Sequence, residues 1–221
     1  MPHFSKAFVD FFKALAKHND TAWFDENRKT YETEVKKPFE AFTLAMIQRI
    51  AAVDREVGIA PKDAISRINR DTRFGADKRP YNTHLSAAIS KFGKQNKEYP
   101  GILFQLSHEG ISVFGGCYAP EKETLAAVRA LIAKDGKAFR KAIEGTRFAK
   151  LFGELRGEEM KRIPPEWQKA HATEPLIARK QFYYEAALPA ALVLDDKLGD
   201  VLMQHFEAGR EVNKFLQRAF A

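Results

Sequence analysis

The chain has 221 residues, 45 % of them hydrophobic, with a formal net charge of +7 and one cysteine, Cys117. Its length is generous for one domain and short for two, and folding at this size hides roughly 70 % of the unfolded surface, so a sizeable core is available. Disorder is excluded by the apolar content, an internal disulfide by the lone cysteine, and a membrane span by the lack of about eighteen consecutive apolar residues.

The first quarter reads as helical. Phe8, Phe11, Phe12 and Leu15 recur at helical spacing until His18-Asn19-Asp20 breaks the pattern. Lys6, Asp10 and Lys13 interrupt this stretch, so it is no signal-peptide core. Asn19 or Asp20 suits the N-cap of a second helix, on which Trp23, Asn27, Tyr31 and Val35 share a face. Pro38 lacks a backbone donor and predicts a kink or a restart. From Phe39 an apolar stripe runs through Phe42, Met46, Ile50, Val53 and Val57 to Gly58.

The middle of the chain changes period. Residues 64–70 can supply a strand, and Leu85, Ala87 and Ile89 alternate with polar or small neighbours. Lys91, Lys94 and Lys97 read as a solvated loop. Two apolar runs, 102–107 and 111–114, joined by His108-Glu109-Gly110, predict a hairpin whose last loop residue has positive φ. Ala119-Pro120-Glu121 predicts a helix with proline at its first position, burying Leu125, Val128, Leu131 and Ile132. Short helices around 136–144 and 146–155 and a strand through Phe182, Tyr184, Ala186 and Leu188 follow. Asp195 or Asp196 caps a last helix carrying Leu198, Leu202, Phe206, Val212, Phe215 and Leu216. Hairpin connections without a strand–helix–strand rhythm predict a single α+β domain, an antiparallel β-sheet flanked by helices.

Residues 67–79 hold Arg67, Arg70, Arg73, Lys78 and Arg79 against only Asp71 and Asp77, three of the chain's seven surplus positive charges. In an extended strand Arg67, Asn69, Asp71 and Arg73 share one face and Ser66, Ile68, Arg70, Thr72 and Phe74 the other, so neither face is a clean apolar stripe. Gly75 and Pro80 then turn the chain. Guanidinium forks suit either an internal ion-pair network or a phosphate or carboxylate ligand. Gly115-Gly116, between a strand and a helix, can let backbone amides approach a phosphate, but lacks the fuller glycine-rich signatures and reads more simply as a bend. Cys117 reads as a small buried hydrophobe. The six histidines (His3, His18, His84, His108, His171, His205) show no metal-ligand spacing, and neither metal nor cofactor is expected.

RINRDTRFGADKRPY, residues 67–81, resembles the Arg-Asp-x-Arg-Phe … Asp-Lys-x-Pro-Tyr motif of a bacterial family known as a domain of unknown function (family 2461). Trp23, Phe24, Arg28, Tyr31, Pro38 and Phe39 resemble its N-terminal helix, and Gly115, Gly116, Tyr118, Pro120, Leu125 and Arg129 its hairpin and following helix. Gly157, Lys161, Arg162 and Pro164 resemble a further basic segment, in which Met160 replaces a leucine and PPEW departs from the family's Pro-Arg-Gly-Phe. The resemblance implies an α+β domain of about this length and brings no established activity.

The expected function is binding of an anionic, phosphate-bearing ligand. Its candidate site is Arg67, Arg70, Asp71, Arg73, Asp77, Lys78, Arg79 and Tyr81, with Lys161 and Arg162 on the same surface. Tyr81 or Phe74 would pack on a base or sugar. Nucleic acid is permitted by the charge but disfavoured by the lack of any recognition motif. An enzyme using Asp71 or Asp77 as acid/base is the alternative. A third reading has the motif fasten the sheet to the N-terminal helices, with Arg28 and Tyr31. No membrane partner is expected, and the single cysteine suits a cytoplasmic location.

Overall fold

A computed structural model describes residues 2–73 and 76–220. In chain order the elements are α1 (Lys6–Lys17), α2 (Thr21–Glu26), α3 (Arg28–Thr30), a π-helical turn (Tyr31–Lys36), α4 (Lys37–Ala51), α5 (Pro61–Ala64), β1 (His84–Ile89), β2 (Ile102–Ser107) and β3 (Gly110–Cys117). Then come α6 (Lys122–Lys134), α7 (Gly136–Ile143), α8 (Thr146–Phe152), α9 (Pro165–Thr173), β4 (Phe182–Pro189) and α10 (Leu198–Gln217). The four strands form one antiparallel sheet in the order β1-β2-β3-β4, each strand beside its neighbour in sequence. This is the α+β class, with helices before, within and after the run of strands. Among the described residues, no helix is long and apolar enough to cross a membrane.

Two compact units divide the chain. The first comprises Met1–Lys94, Leu103–Val113 and Ala187–Met203, and the second Gln95–Ile102, Phe114–Ala186 and Gln204–Ala221. In the first, the α1 stripe is buried, with Phe8 and Phe12 rings 5.2 Å apart. Phe39 and Phe42 of α4 meet Phe104 of β2 at 6.0 and 5.7 Å between centroids. In the second, Phe152 of α8 lies 4.5 Å from the ring of Tyr184, whose hydroxyl donates to Asn213 Oδ1 at 3.0 Å. Asn213 in turn donates to the Gly101 carbonyl and accepts from the Gly116 amide. One α10 amide group therefore ties together two backbone segments and the Tyr184 side chain of that unit.

The elements depart from the sequence expectations in several places. The helix that restarts around Pro38 ends at Ala51, not Gly58; Val53 is exposed while Val57 is buried beyond the helix. Residues 64–70 make only isolated antiparallel bridges, Ile65 to Ala87 and Asn69 to Tyr81, and no strand. Gly110 is absent from the positive-φ positions and opens β3; a Cβ there would meet the Leu188 carbonyl at 2.9 Å, so close approach to β4 is what requires glycine. Helix α6 begins at Lys122, which puts Pro120 ahead of the helix; Arg129 is buried on it beside Val128 and Ile132.

The residues before Pro38 form a π-helical turn, in which the Lys37 amide donates to the Glu32 carbonyl five residues back. Proline at 38 has no N–H for the Glu34 carbonyl, and its ring would crowd that carbonyl in a regular α-helix. Widening the preceding turn relieves the conflict without breaking the helix.

Gly116 has φ +84°, and a Cβ there would stand 2.3 Å from the Phe182 carbonyl oxygen. Gly116→Ala is therefore expected to cost about 3 kcal/mol or more, through left-handed strain and backbone overlap together. Gly58, with nothing within 4 Å of a Cβ, should change stability by less than about 1 kcal/mol when replaced by alanine. Urea unfolding of the two variants measures the contrast.

Candidate functional site

The arginine-rich segment is a ribbon laid antiparallel to residues 80–86. Ser66 N–H donates to the Ser86 carbonyl (3.0 Å), Asn82 N–H to Ile68 (2.8 Å) and Arg70 N–H to Pro80 (2.8 Å). The last of these closes a loop over residues 71–79. Within it, Arg79 grips the Asp77 carboxylate through Nε (3.0 Å) and Nη2 (2.6 Å), and Arg70 Nη1 reaches the same carboxylate at 2.6 Å. Arg73 holds Asp71 through Nε (3.0 Å) and Nη2 (2.7 Å), and Lys78 Nζ donates to the Thr72 carbonyl at 2.8 Å. Phe74 and Gly75 lie outside the described residues.

Two carboxylates thus engage three guanidinium groups. Hydrogen bonds from Arg79 and then Arg70 hold the Asp77 carboxyl far below the usual carboxylate range, and those from Arg73 lower Asp71. Carboxylates held ionised this firmly are weak bases and are not proton donors near neutrality, so the acid/base alternative gains no support from them. The pairs remain at the surface, with 55 % of the Arg79 side chain and 76 % of Arg73 exposed. His84, half-buried, has its pKa lowered by burial and by the Arg70 charge, and stays neutral at pH 7.

Tyr81 is not a ligand platform. Only 5 % of it is exposed, and its ring stacks on Phe24 with centroids 4.0 Å apart and planes 14° from parallel. Its backbone is clasped by Asn19, which donates through Nδ2 to the Tyr81 carbonyl (2.9 Å) and accepts the Tyr81 N–H at Oδ1 (3.0 Å). Asp20, not Asn19, caps α2 by accepting from Trp23 N–H. Asn19 and Phe24 are thus the residues of the N-terminal helical region that meet Tyr81 of the motif. Arg28 is paired with Asp25, and Tyr31 packs on Phe11 and Phe24.

Between the ribbon and those helices, wholly within the first unit, lies a cleft of about 400 Å³. Arg67 is the one sequence-predicted site residue that lines it. Lys62 and Lys94 stand on the same wall; Arg28, Glu32, Lys36 and Glu40 line the helical wall, over an apolar floor that includes Phe39, Ile68 and Leu85. Lys94 is not a loosely solvated loop residue, since its Nζ donates to the carbonyls of Lys62 (2.6 Å) and Ile65 (2.7 Å). Lys36 is bonded to Glu32 at 2.8 Å. Among the described residues, the Arg67 guanidinium and the Lys62 ammonium have no hydrogen-bond or ion-pair partner. The sequence signal for the missed residues was the helical i, i+4 spacing of 28, 32, 36 and 40.

Lys161 and Arg162 belong to the second unit, so the cleft draws no residue from them. Both are exposed in a bend just before α9, which Pro165 opens. Beside them Arg129 is buried in a cage of neutral acceptors, the Ile177 and Arg179 carbonyls (each 3.0 Å) and the Met160 thioether. Burial lowers its pKa, against the opposing pull of Glu166. Cys117 is fully buried, its thiol pushed up to about 12 by burial and by Glu98. The Gly116 amide is bonded to Asn213, so the glycine pair is a packing bend and not a phosphate loop. Among the described residues, no group of three or more His, Cys, Asp or Glu side chains is placed to hold a metal ion.

The family of conserved hypothetical proteins designated DUF2461 matches residues 7–215, and the chain belongs to it. No curated protein matches the chain.

Because Asp77 titrates lower in the folded loop than in the unfolded chain, its ion pairs stabilise the loop fully above the ordinary carboxylate range, near pH 4, and are lost as pH falls through the folded value. Asp77→Asn should remove that dependence and speed hydrogen exchange at the Arg70 amide. Exchange followed from pH 7 downward checks both; equal rates in the two proteins would mean the backbone alone closes the loop.

Proposed function

We propose that this protein binds an anionic, phosphate-bearing small molecule in the cleft beside its arginine-rich ribbon. The observation that carries the reading is the charge of the cleft lining: five cations, Arg28, Lys36, Lys62, Arg67 and Lys94, face two acids, Glu32 and Glu40. Arg28 and Lys36 already have carboxylate partners, whereas Arg67 and Lys62 do not. An exposed guanidinium beside an unpaired ammonium suits a phosphate, since the fork donates two parallel hydrogen bonds and the ammonium supplies a point charge. The half-buried Arg70 and the exposed Arg73, Lys78 and Arg79 add positive charge to the ribbon that borders the cleft and speed encounter with an anion. Their contribution is electrostatic steering more than direct contact, because each already has an acceptor. The cleft volume lies at the small end of ordinary ligand pockets, which favours a compact ligand over a nucleic-acid strand.

Arg67→Ala removes a surface side chain that makes no hydrogen bond or close ion pair and acts on Asp71 only through its charge, so it should leave thermal stability within about 0.5 kcal/mol of wild type. Titration of inorganic phosphate, followed by calorimetry at low and high sodium chloride, tests the reading. Wild type should bind, more weakly as salt rises, and Arg67→Ala together with Lys62→Ala should bind about tenfold or more weakly, the loss of two charge-assisted contacts. Wild-type and variant affinities that agree would overturn it.

A further inference from the structure

The two walls of the cleft carry different charge patterns. On the ribbon side Lys62, Arg67 and Lys94 are all cationic, with no acid among the lining residues of that wall. On the helical side Arg28, Glu32, Lys36 and Glu40 alternate in sign at steps of four residues. In an uninterrupted α-helix, twelve residues at about 100° each would leave positions 28 and 40 about 120° apart around the axis. The π-helical turn at Tyr31–Lys36 advances less per residue, which brings the four back toward one face. A wide turn at this place therefore does more than relieve Pro38: it directs a ladder of alternating charge into the cleft. Single π turns recur at functional sites for this kind of reason.

Glu40 is the open end of that ladder. Glu32 is engaged by Lys36, whereas the exposed Glu40 carboxylate accepts no hydrogen bond among the described residues. Nearby Tyr31 has its phenol pushed up to about 12, by burial and by Glu32 and Glu40, and keeps its proton at neutral pH. One wall thus offers cationic donors without acids, and the other a carboxylate that feels the Lys36 charge but accepts no hydrogen bond among the described residues.

Building on the anion-binding reading, we propose that the ligand is a phosphorylated polyol of about monosaccharide size, with its phosphate on Arg67 and Lys62 and a hydroxyl donating to Glu40. The apolar floor of Phe39, Ile68 and Leu85 then carries the carbon skeleton. A ligand that carries only negative charge leaves Glu40 facing an anion; a hydroxyl on its far side turns the same carboxylate into an attraction.

Three probes separate this inference from the one beneath it: inorganic phosphate, cyclohexyl phosphate and glucose 6-phosphate, titrated into wild type and Glu40→Gln. Cyclohexyl phosphate matches the sugar phosphate in ring and charge but has no hydroxyl. Wild type should bind glucose 6-phosphate about tenfold or more tightly than cyclohexyl phosphate, the worth of one hydrogen bond to a charged acceptor, and Glu40→Gln should erase most of that ratio. Equal affinity for the two ring phosphates, or a ratio unmoved by Glu40→Gln, overturns the polyol assignment while phosphate binding stands. Failure of wild type to bind any of the three overturns both. A thermal unfolding curve of Glu40→Gln that matches wild type assigns the change in ratio to the carboxylate itself.

Discussion

The first unit depends on the clasp at Tyr81. Asn19 closes two hydrogen bonds on its backbone while its ring lies flat on Phe24, so a single residue is held by both polar and apolar contacts. Stacked aromatic pairs contribute about 0.5–1.5 kcal/mol beyond burial alone, and the backbone bonds fix the direction from which the ribbon approaches. With Tyr81 fixed, the Asn69–Tyr81 bridge and the Arg70–Pro80 bond set the register of the ribbon. Arg67, exposed, and Ile68, buried, then both line the cleft, one as a charged group on its wall and the other as part of its apolar floor.

This arrangement separates two roles that look alike as charge. The arginines of the loop are oriented by Asp71 and Asp77, which limits their direct use to a ligand but keeps their positive charge at the surface. Arg67 and Lys62, without such partners, can meet an anion at no cost of breaking an existing ion pair. A basic run in a sequence counts both kinds equally. Only the direction of each side chain divides them.

The second unit solves a different problem, fitting a large tyrosine into a tight space. A Cβ on Gly115 or on Gly209 would fall within 2.2 Å of the Tyr184 hydroxyl, so both surfaces around that ring must be bare backbone. The hydroxyl is satisfied by Asn213, and burial raises its pKa. The glycine pair that could have signalled a phosphate loop is explained by this packing. Arg129 shows the limit of reading burial from residue type: it sits among the apolar stripe of α6 because carbonyls, not carboxylates, receive its donors.

Much of the architecture was legible because periodicity and turn residues act locally. The α1 stripe, the β2–β3 hairpin, the alternation in β1 and β4, and the restart near Pro38 each follow from a few neighbouring residues. Arg67 could be named a site candidate on the same terms, since its charge lies in a segment with no apolar face to bury it. What the sequence could not decide was which acid meets which arginine, that Tyr81 turns inward, and that Arg28, Glu32, Lys36 and Glu40 face Lys62 and Lys94. Those outcomes depend on residues far apart in the chain, such as Asn19 and Tyr81, which lie 62 positions from each other. Composition and spacing set the supply of charge; long-range packing decided where each charge points.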